Sequence, residues 1–533
     1  MLRIYINEQY IDIGDQFSKI NLKLKSPFLS KTVAYTFPFS VPNNDHNKSI
    51  FELQAFNQNF STLSYFNARI IFESFVLDGY VKITKPPTDK LELYFTGWES
   101  LSYNNIEKVL LTELPYETQY YATDLYNAGF TKNDIYTWFP IDVSTDGNIG
   151  VVEHNDYDLV MMNYRDENDM LAGTVWARGT PTGNAADNFN NVISINAPFY
   201  FFSYVVEKVF EWLGVNVEQN DIAEDSDFED LVVVYAPTKI VGLTDTYTTS
   251  YISFEHNLPQ ISIKKFFEFI ENFFACKIVL DPFKRSVKIV FAKDIIKETD
   301  KTDITEKVST QPVLSGISPT NIRLKQKFYS EDKFMLDTDF PDVYEDNSAE
   351  REEKIETEGT SSIQQLIEGV ILDSDFKLPE SYWIWTYRSF YAPRIGYDTN
   401  SEGYQLRAFS DLPFRLLFWD VQEEYERYKY DNGSKVGLTE QDWPVGKYSK
   451  NKSLKWEDSG NGIYELYYKD YLFWLNNFAK EVTFNARFTS SDLAYFDFIK
   501  KYRIDNIDVL IEEIPVSIYK DRIEVGEIKA VTV

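Results

Sequence analysis

Apolar side chains at Phe202, Val205, Val206, Val209, Phe210 and Leu213 recur at the three- and four-residue spacing of a single buried helix face. The pattern predicts a helix opening around Asn196-Ala197-Pro198, with proline in its first turn. It closes at Gly214, where a left-handed cap belongs. Ser262 precedes a second set, Ile263, Phe266, Phe267, Ile270 and Phe273, and predicts a capped helix. Runs at 277–280 and 287–291, parted by Asp281-Pro282, read as a hairpin behind it. Between the helices lie an acidic connector at 221–230 and a short apolar run at 231–235. Each large apolar side chain buried here contributes roughly 1.5–3 kcal/mol, so this stretch is expected to be a firm anchor.

Two-residue alternation marks both ends of the chain. Leu2, Ile4 and Ile6 alternate, as do Ile20, Leu22 and Leu24, then Val33, Tyr35, Phe37 and Phe39. With further runs at 68–75, 79–83 and 91–95, they predict a small barrel or sandwich over residues 1–110, with 42–51 as a loop. Residues 111–195 read as an irregular β insertion with strands near 158–162 and 174–177, and 196–300 as the helix–helix–hairpin module. Residues 301–470 form a second β region. Its acidic stretch at 341–358 is a solvated loop or a mobile arm, and 380–470 is rich in Trp and Tyr. In 471–533, Val482, Phe484, Ala486 and Phe488 alternate, Ser491-Asp492 caps a short helix, and three strands complete a second barrel. The expected fold is α+β, mainly β and multidomain, with tube-like barrels at the two ends and a helix-containing module between them.

Composition narrows the function. With 53 Lys+Arg against 83 Asp+Glu, the formal net charge is −30, which disfavours nucleic-acid backbones and anionic membranes. No apolar run approaches the ~20 residues of a membrane helix. The N-terminus alternates like a strand and lacks an apolar signal core, so a soluble product assembled in the cytoplasm is expected. Cys276, the one cysteine, sits among apolar neighbours and reads as an inert buried thiol.

Little in the sequence carries chemistry. His46, His154 and His256 are scattered in apparent loops, and neither a helical histidine pair nor a phosphate-cradling glycine loop occurs. Asn155-Asp156-Tyr157-Asp158 and Asp225-Ser226-Asp227 lack the glycine and terminal glutamate of a calcium loop and read as solvated. The rival to a structural role is a glycan-binding or glycan-cleaving protein. Glu423, Glu424 and Glu426 near Trp419 would be its carboxylates, and the aromatic region its platform. Carboxylates are too plentiful here for that proximity to weigh. The expectation is no enzyme, no cofactor and no metal.

Three stretches carry a resemblance. One is Asn21-Leu22-Lys23-Leu24-Lys25-Ser26-Pro27-Phe28 followed by Tyr35-Thr36-Phe37-Pro38-Phe39-Ser40-Val41-Pro42. Another joins the apolar helix ending at Gly214 to Leu258-Pro259, Phe266-Phe267 and Asn272-Phe273-Phe274. The third runs from Phe473-Trp474-Leu475 to Tyr502-Arg503-Ile504-Asp505. Together they resemble large tail proteins of phages and prophages of Bacteroidota-type hosts, outside residues 111–195 and 300–375. The resemblance implies a baseplate or tail-tip hub: a homotrimeric ring of paired barrels that matches a sixfold tail tube to a threefold spike or fibre. Its partners would be other tail proteins, with DNA passing through the lumen unbound. Phe202, Val209, Phe266, Phe267, Ile270 and Trp474 are then the structural and interface candidates.

Overall fold

Alternation at the ends becomes strands, and the three–four spacing between them becomes helices. A computed structural model describes residues 1–15, 17–26, 35–36, 38–51, 65–85, 88–97, 106–115, 196–234, 258–281, 285–316, 450–455 and 460–533, together with individual strands between 119 and 253 and between 320 and 447. The first hundred residues hold β1 (Leu2–Ile6), β2 (Gln9–Tyr10), β3 (Ile20–Lys25), β4 (Tyr35–Thr36), β5 (Phe39–Pro42), α1 (Asp45–Ile50), β6 (Phe66–Phe72), β7 (Phe75–Ile83) and β8 (Lys90–Gly97). The helical module holds α2 (Phe202–Leu213), β9 (Asn216–Asn220), α3 (Ile263–Phe274), β10 (Cys276–Asp281), β11 (Ser286–Phe291) and α4 (Ala292–Lys297). Then come β12 (Lys301–Asp303), β13 (Val313–Gly316), α5 (Lys469–Asn477), β14 (Lys480–Asn485), α6 (Ser490–Ala494), β15 (Lys501–Ile504), β16 (Ile507–Ile518) and β17 (Glu527–Thr532).

The sequence places the two β-rich ends in two barrels. In the structure their strands are halves of one 15-stranded sheet, ordered β2-β1-β6-β7-β8-β4-β3-β16-β17-β14-β13 along its main path. The joint is β16, 12 residues long. Its first part pairs with β15 and β17, and its last part pairs with β3 from Lys25↔Glu513 to Ile20↔Ile518. One core cluster runs beneath both halves, from Ile4, Leu22 and Phe95 to Phe484, Ile511 and Ile528. The N-terminal half curls far enough for the Leu2 amide to donate to Lys520 O at 2.9 Å, just past the end of β16. Alternation specifies which face of a strand is buried but not which strand lies beside it. The mainly β reading therefore holds, and the separation of the ends does not.

Local departures have similar causes. The stretch read as a loop at 42–51 contains α1, whose cap Asn44 accepts from the Asn47 amide at 2.9 Å and whose end buries Ile50 and Phe51. Residues Asn196–Phe201 form a strand against Tyr136–Pro140 instead of opening α2, and Pro198 faces Trp138 across it. Phe199, Tyr200 and Phe201 are all buried, and an unbroken apolar run suits a strand covered on both faces. The acidic stretch is not a loop throughout. Arg351–Glu358 pairs in parallel with Thr320–Lys327, setting Glu356 opposite Lys325 and Glu358 opposite Lys327. At α6 the cap is Thr489, two residues before Ser491, in a reciprocal box: the Asp492 amide donates to Thr489 Oγ1 at 3.2 Å and the Thr489 amide to Asp492 Oδ2 at 2.8 Å.

A separate five-stranded sheet orders Tyr136–Pro140, Asn196–Phe201, Leu231–Val234, Arg415–Gln422 and Trp443–Lys447. It ties the β insertion and the aromatic-rich region to the helical module.

Candidate functional site

Five of the six candidates meet in one core. Phe202, Val209, Phe266, Phe267 and Ile270 are all buried in the cluster that packs α2 against α3. Phe202 sits edge-on to Phe266 at 5.9 Å between ring centroids, and Phe210 stacks on Phe267 at 5.5 Å. Gly214 closes α2 at φ +64°, as the pattern predicts, and Ser262 Oγ accepts from the Lys265 amide at 3.3 Å to open α3. Trp474 lies apart, in a smaller cluster with Ala479 and Val531, and its indole N–H donates to Thr532 O at 3.0 Å. All six side chains pack within the chain.

Of the carboxylates weighed as cation ligands, Asp225 and Asp227 already have partners, and Asn155-Asp156-Tyr157-Asp158 lies outside the described residues. The connector forms a short helix, Asp221–Glu224, and a 3-10 turn, Ser226–Phe228. Three consecutive residues hold it: Lys450 pairs with Asp230 at 2.5 Å, Asn451 donates to Asp227 at 2.9 Å, and Lys452 pairs with both Asp225 and Asp227. The Asn451 hydrogen bond, with help from Lys452, keeps the Asp227 carboxyl below its usual range. Among the described residues no group of three or more His, Cys, Asp or Glu is placed to hold a metal ion. Burial pushes the Cys276 thiol well up, which leaves it inert. His46 Nε2 lies 2.8 Å from Tyr10 O, a contact within the fold. His154, His256, Glu423 and Glu424 lie outside the described residues, as does the side chain of Glu426. Trp419 is in place, its amide donating to Asp230 O at 2.7 Å.

Two surfaces escape sequence reasoning. The first is the edge of the large sheet at β13, which among the described residues pairs on one side only. On β13, Val313 is 64 % and Leu314 45 % exposed. Gly316 pairs with Lys480, two residues from Phe478, and Phe478 meets Phe473 edge-on at 5.6 Å, with both rings more than half exposed. The only signal was Val313-Leu314 itself, since two adjacent apolar residues on a strand must face opposite ways.

The second surface is a cleft of about 790 Å³ on the outer face of β1, β6 and β7, walled by Arg285 just before β11. Tyr5 pairs with Arg69 and Arg69 with Asp78, forming one row across three strands. The Arg69–Asp78 pair is two-pronged, at 2.5 and 3.0 Å. In the next row Asn67 faces Tyr80, and the Asn7 amide donates to Asn67 O at 2.8 Å. Arg285 closes the far wall.

No family model matches the chain, and neither does any curated protein. Among solved structures it aligns with the crystal structure of the prophage MuSo2 43 kDa tail protein from Shewanella oneidensis. That alignment has a TM-score of 0.32 at 8 % identity and covers 100 % of this chain and 98 % of that one. A likeness of this degree decides neither fold nor function. Among the described residues no helix is long and apolar enough to cross a membrane.

Proposed function

We propose that the chain is a structural protein of a phage tail, a baseplate or tail-tip hub that closes into a ring of three copies. The observation that carries this reading is the apolar edge at β13, open among the described residues, with Val313, Leu314 and the Phe473–Phe478 pair beside it. An edge strand is a template for pairing, and surfaces of permanent assemblies resemble a core cut in half. The sheet's opposite end is unlike it: β2 is two residues long and bears Tyr10. Contact between unlike surfaces generates rings when the rotation closes. Each copy brings an N-terminal and a C-terminal group of strands, so three copies would present six. That count suits a sixfold tube on one side and a threefold spike or fibre on the other.

The sequence resemblance supports the tail setting. The net charge of −30 suits a lumen that repels passing DNA. The role is assembly without catalysis, in the virion tail, built in the host cytoplasm with tube, spike or fibre and baseplate proteins as neighbours. Native mass spectrometry of the purified chain and electron microscopy of tails test it, with rings of three copies as the expected result. A stable monomer absent from tails would overturn it.

A further inference from the structure

We propose that the cleft over β1, β6 and β7 is a binding site for a neutral saccharide. The core-facing side chains of these strands, Ile4, Ile70 and Leu77, are buried, so Tyr5, Asn67, Arg69, Asp78 and Tyr80 stand together on the other face. Tyr5 is braced edge-on by Tyr10 at 6.0 Å, and Tyr80 packs against the core of the helical module. Two tyrosine rings therefore flank the Arg69–Asp78 pair and two asparagines.

Charge narrows the ligand. Arg69 and Asp78 neutralise each other, and the remaining pair, Glu8 and Arg285, contributes one charge of each sign. On a chain of net charge −30, this cleft favours neither an anion nor a cation. It offers planar amide, carboxylate and guanidinium groups, which grip vicinal hydroxyls, and aromatic rings, which cover the apolar face of a sugar. The side chains of Asn7, Glu8, Asn67 and Arg285 make no hydrogen bond or ion pair among the described residues, so their capacity is unused. A peptide fits less well. β6 and β7 are interior strands whose backbone groups already pair on both sides, so no edge is available for strand addition. The volume, about 790 Å³, falls within the ~300–1,000 Å³ of small-ligand sites, but the polar lining does not suit an apolar cofactor.

Three rim residues hold set backbone conformations. Asn7 and Glu8 hold φ +49° and +67° in the two-residue hairpin between β1 and β2, and Arg285 holds φ +51° while its carbonyl accepts from the Asn216 amide at 3.1 Å. Pre-set walls lower the entropic cost of gripping a flexible glycan.

The test uses the full-length protein on an array of neutral and anionic oligosaccharides, a peptide array, and calorimetry on any hit. Arg285→Ala and Asn67→Ala are the variants, because neither side chain holds the fold together. Binding of a neutral glycan, weakened about tenfold or more by each variant at unchanged melting temperature, is the expected result. Preference for anionic glycans or peptides, absence of any binding, or neutral-glycan binding that both variants leave intact would each overturn the proposal. None of these outcomes depends on whether the chain forms a ring, which is read separately from its mass.

Discussion

The Lys23 ammonium and the Glu513 carboxylate, 490 residues apart, meet at 2.7 Å across the pairing of β3 with β16. Lys25 adds a second contact at 3.5 Å. Burial alone would raise the Glu513 carboxyl, but the two lysines outweigh it and hold the group below its usual value of 4.5. A depressed carboxyl contributes stability that is complete above the unfolded value and is lost as pH falls through the folded one. Glu513→Gln should therefore lower the melting temperature at pH 7, at a cost of about 1–3 kcal/mol. The gap from the wild type should narrow below pH 4.5. Melting curves across the acid range check both, and a gap that widens with acid would contradict the assignment.

Phe267→Ala should cost about 3–5 kcal/mol, because the ring is buried and stacked on Phe210. Phe266→Ala, which removes the ring beside Phe202, should cost a similar amount. Loss of the α2–α3 anchor should also abolish ring assembly. Intact rings from either variant, seen by native mass spectrometry, would count against the module as the rigid joint.

Val313→Lys with Leu314→Lys should separate assembly from folding. Both side chains are exposed, and lysine on an edge strand blocks pairing without disturbing a core. Circular dichroism should be unchanged while the mass falls to that of one chain. A variant that still forms rings would move the contact elsewhere.

Gly79→Ala should destabilise the N-terminal strands. A Cβ there would stand 2.2 Å from the Thr96 carbonyl oxygen and 2.7 Å from the Phe95 ring, and the first of these is backbone on the paired strand β8. Overpacking of this kind costs about 1–3 kcal/mol, so a clearly lower melting temperature is expected.

Periodicity made the helices legible: Phe202, Val205, Val206 and Val209, and Phe266, Phe267 and Ile270, lie on the faces their spacing assigned. Gly214 marked a true end because a left-handed residue there needs no Cβ. The start of α2 was hidden, since Phe199–Phe202 is apolar at every position and a run without period does not distinguish strand from helix. Arg351–Glu358 was hidden for the opposite reason, being a strand with almost no apolar side chains. The cleft was invisible because Tyr5, Arg69 and Asp78 become neighbours only through register. The partner of β16 was equally hidden, since it lies nearly the whole chain away.

That last pairing has a consequence for synthesis. β3 leaves the ribosome with one of its edges unoccupied, and the strand that covers it, β16, emerges 490 residues later. At about 5–20 residues per second that wait is on the order of a minute. Throughout it, the N-terminal strands expose a pairing template in a crowded cell. Chains broken before residue 507 would keep it permanently and would be candidates for chaperones and proteases rather than for assembly. The strand that joins the halves also serves as a checkpoint in synthesis, because no copy can finish this sheet until residues 507–518 have been made.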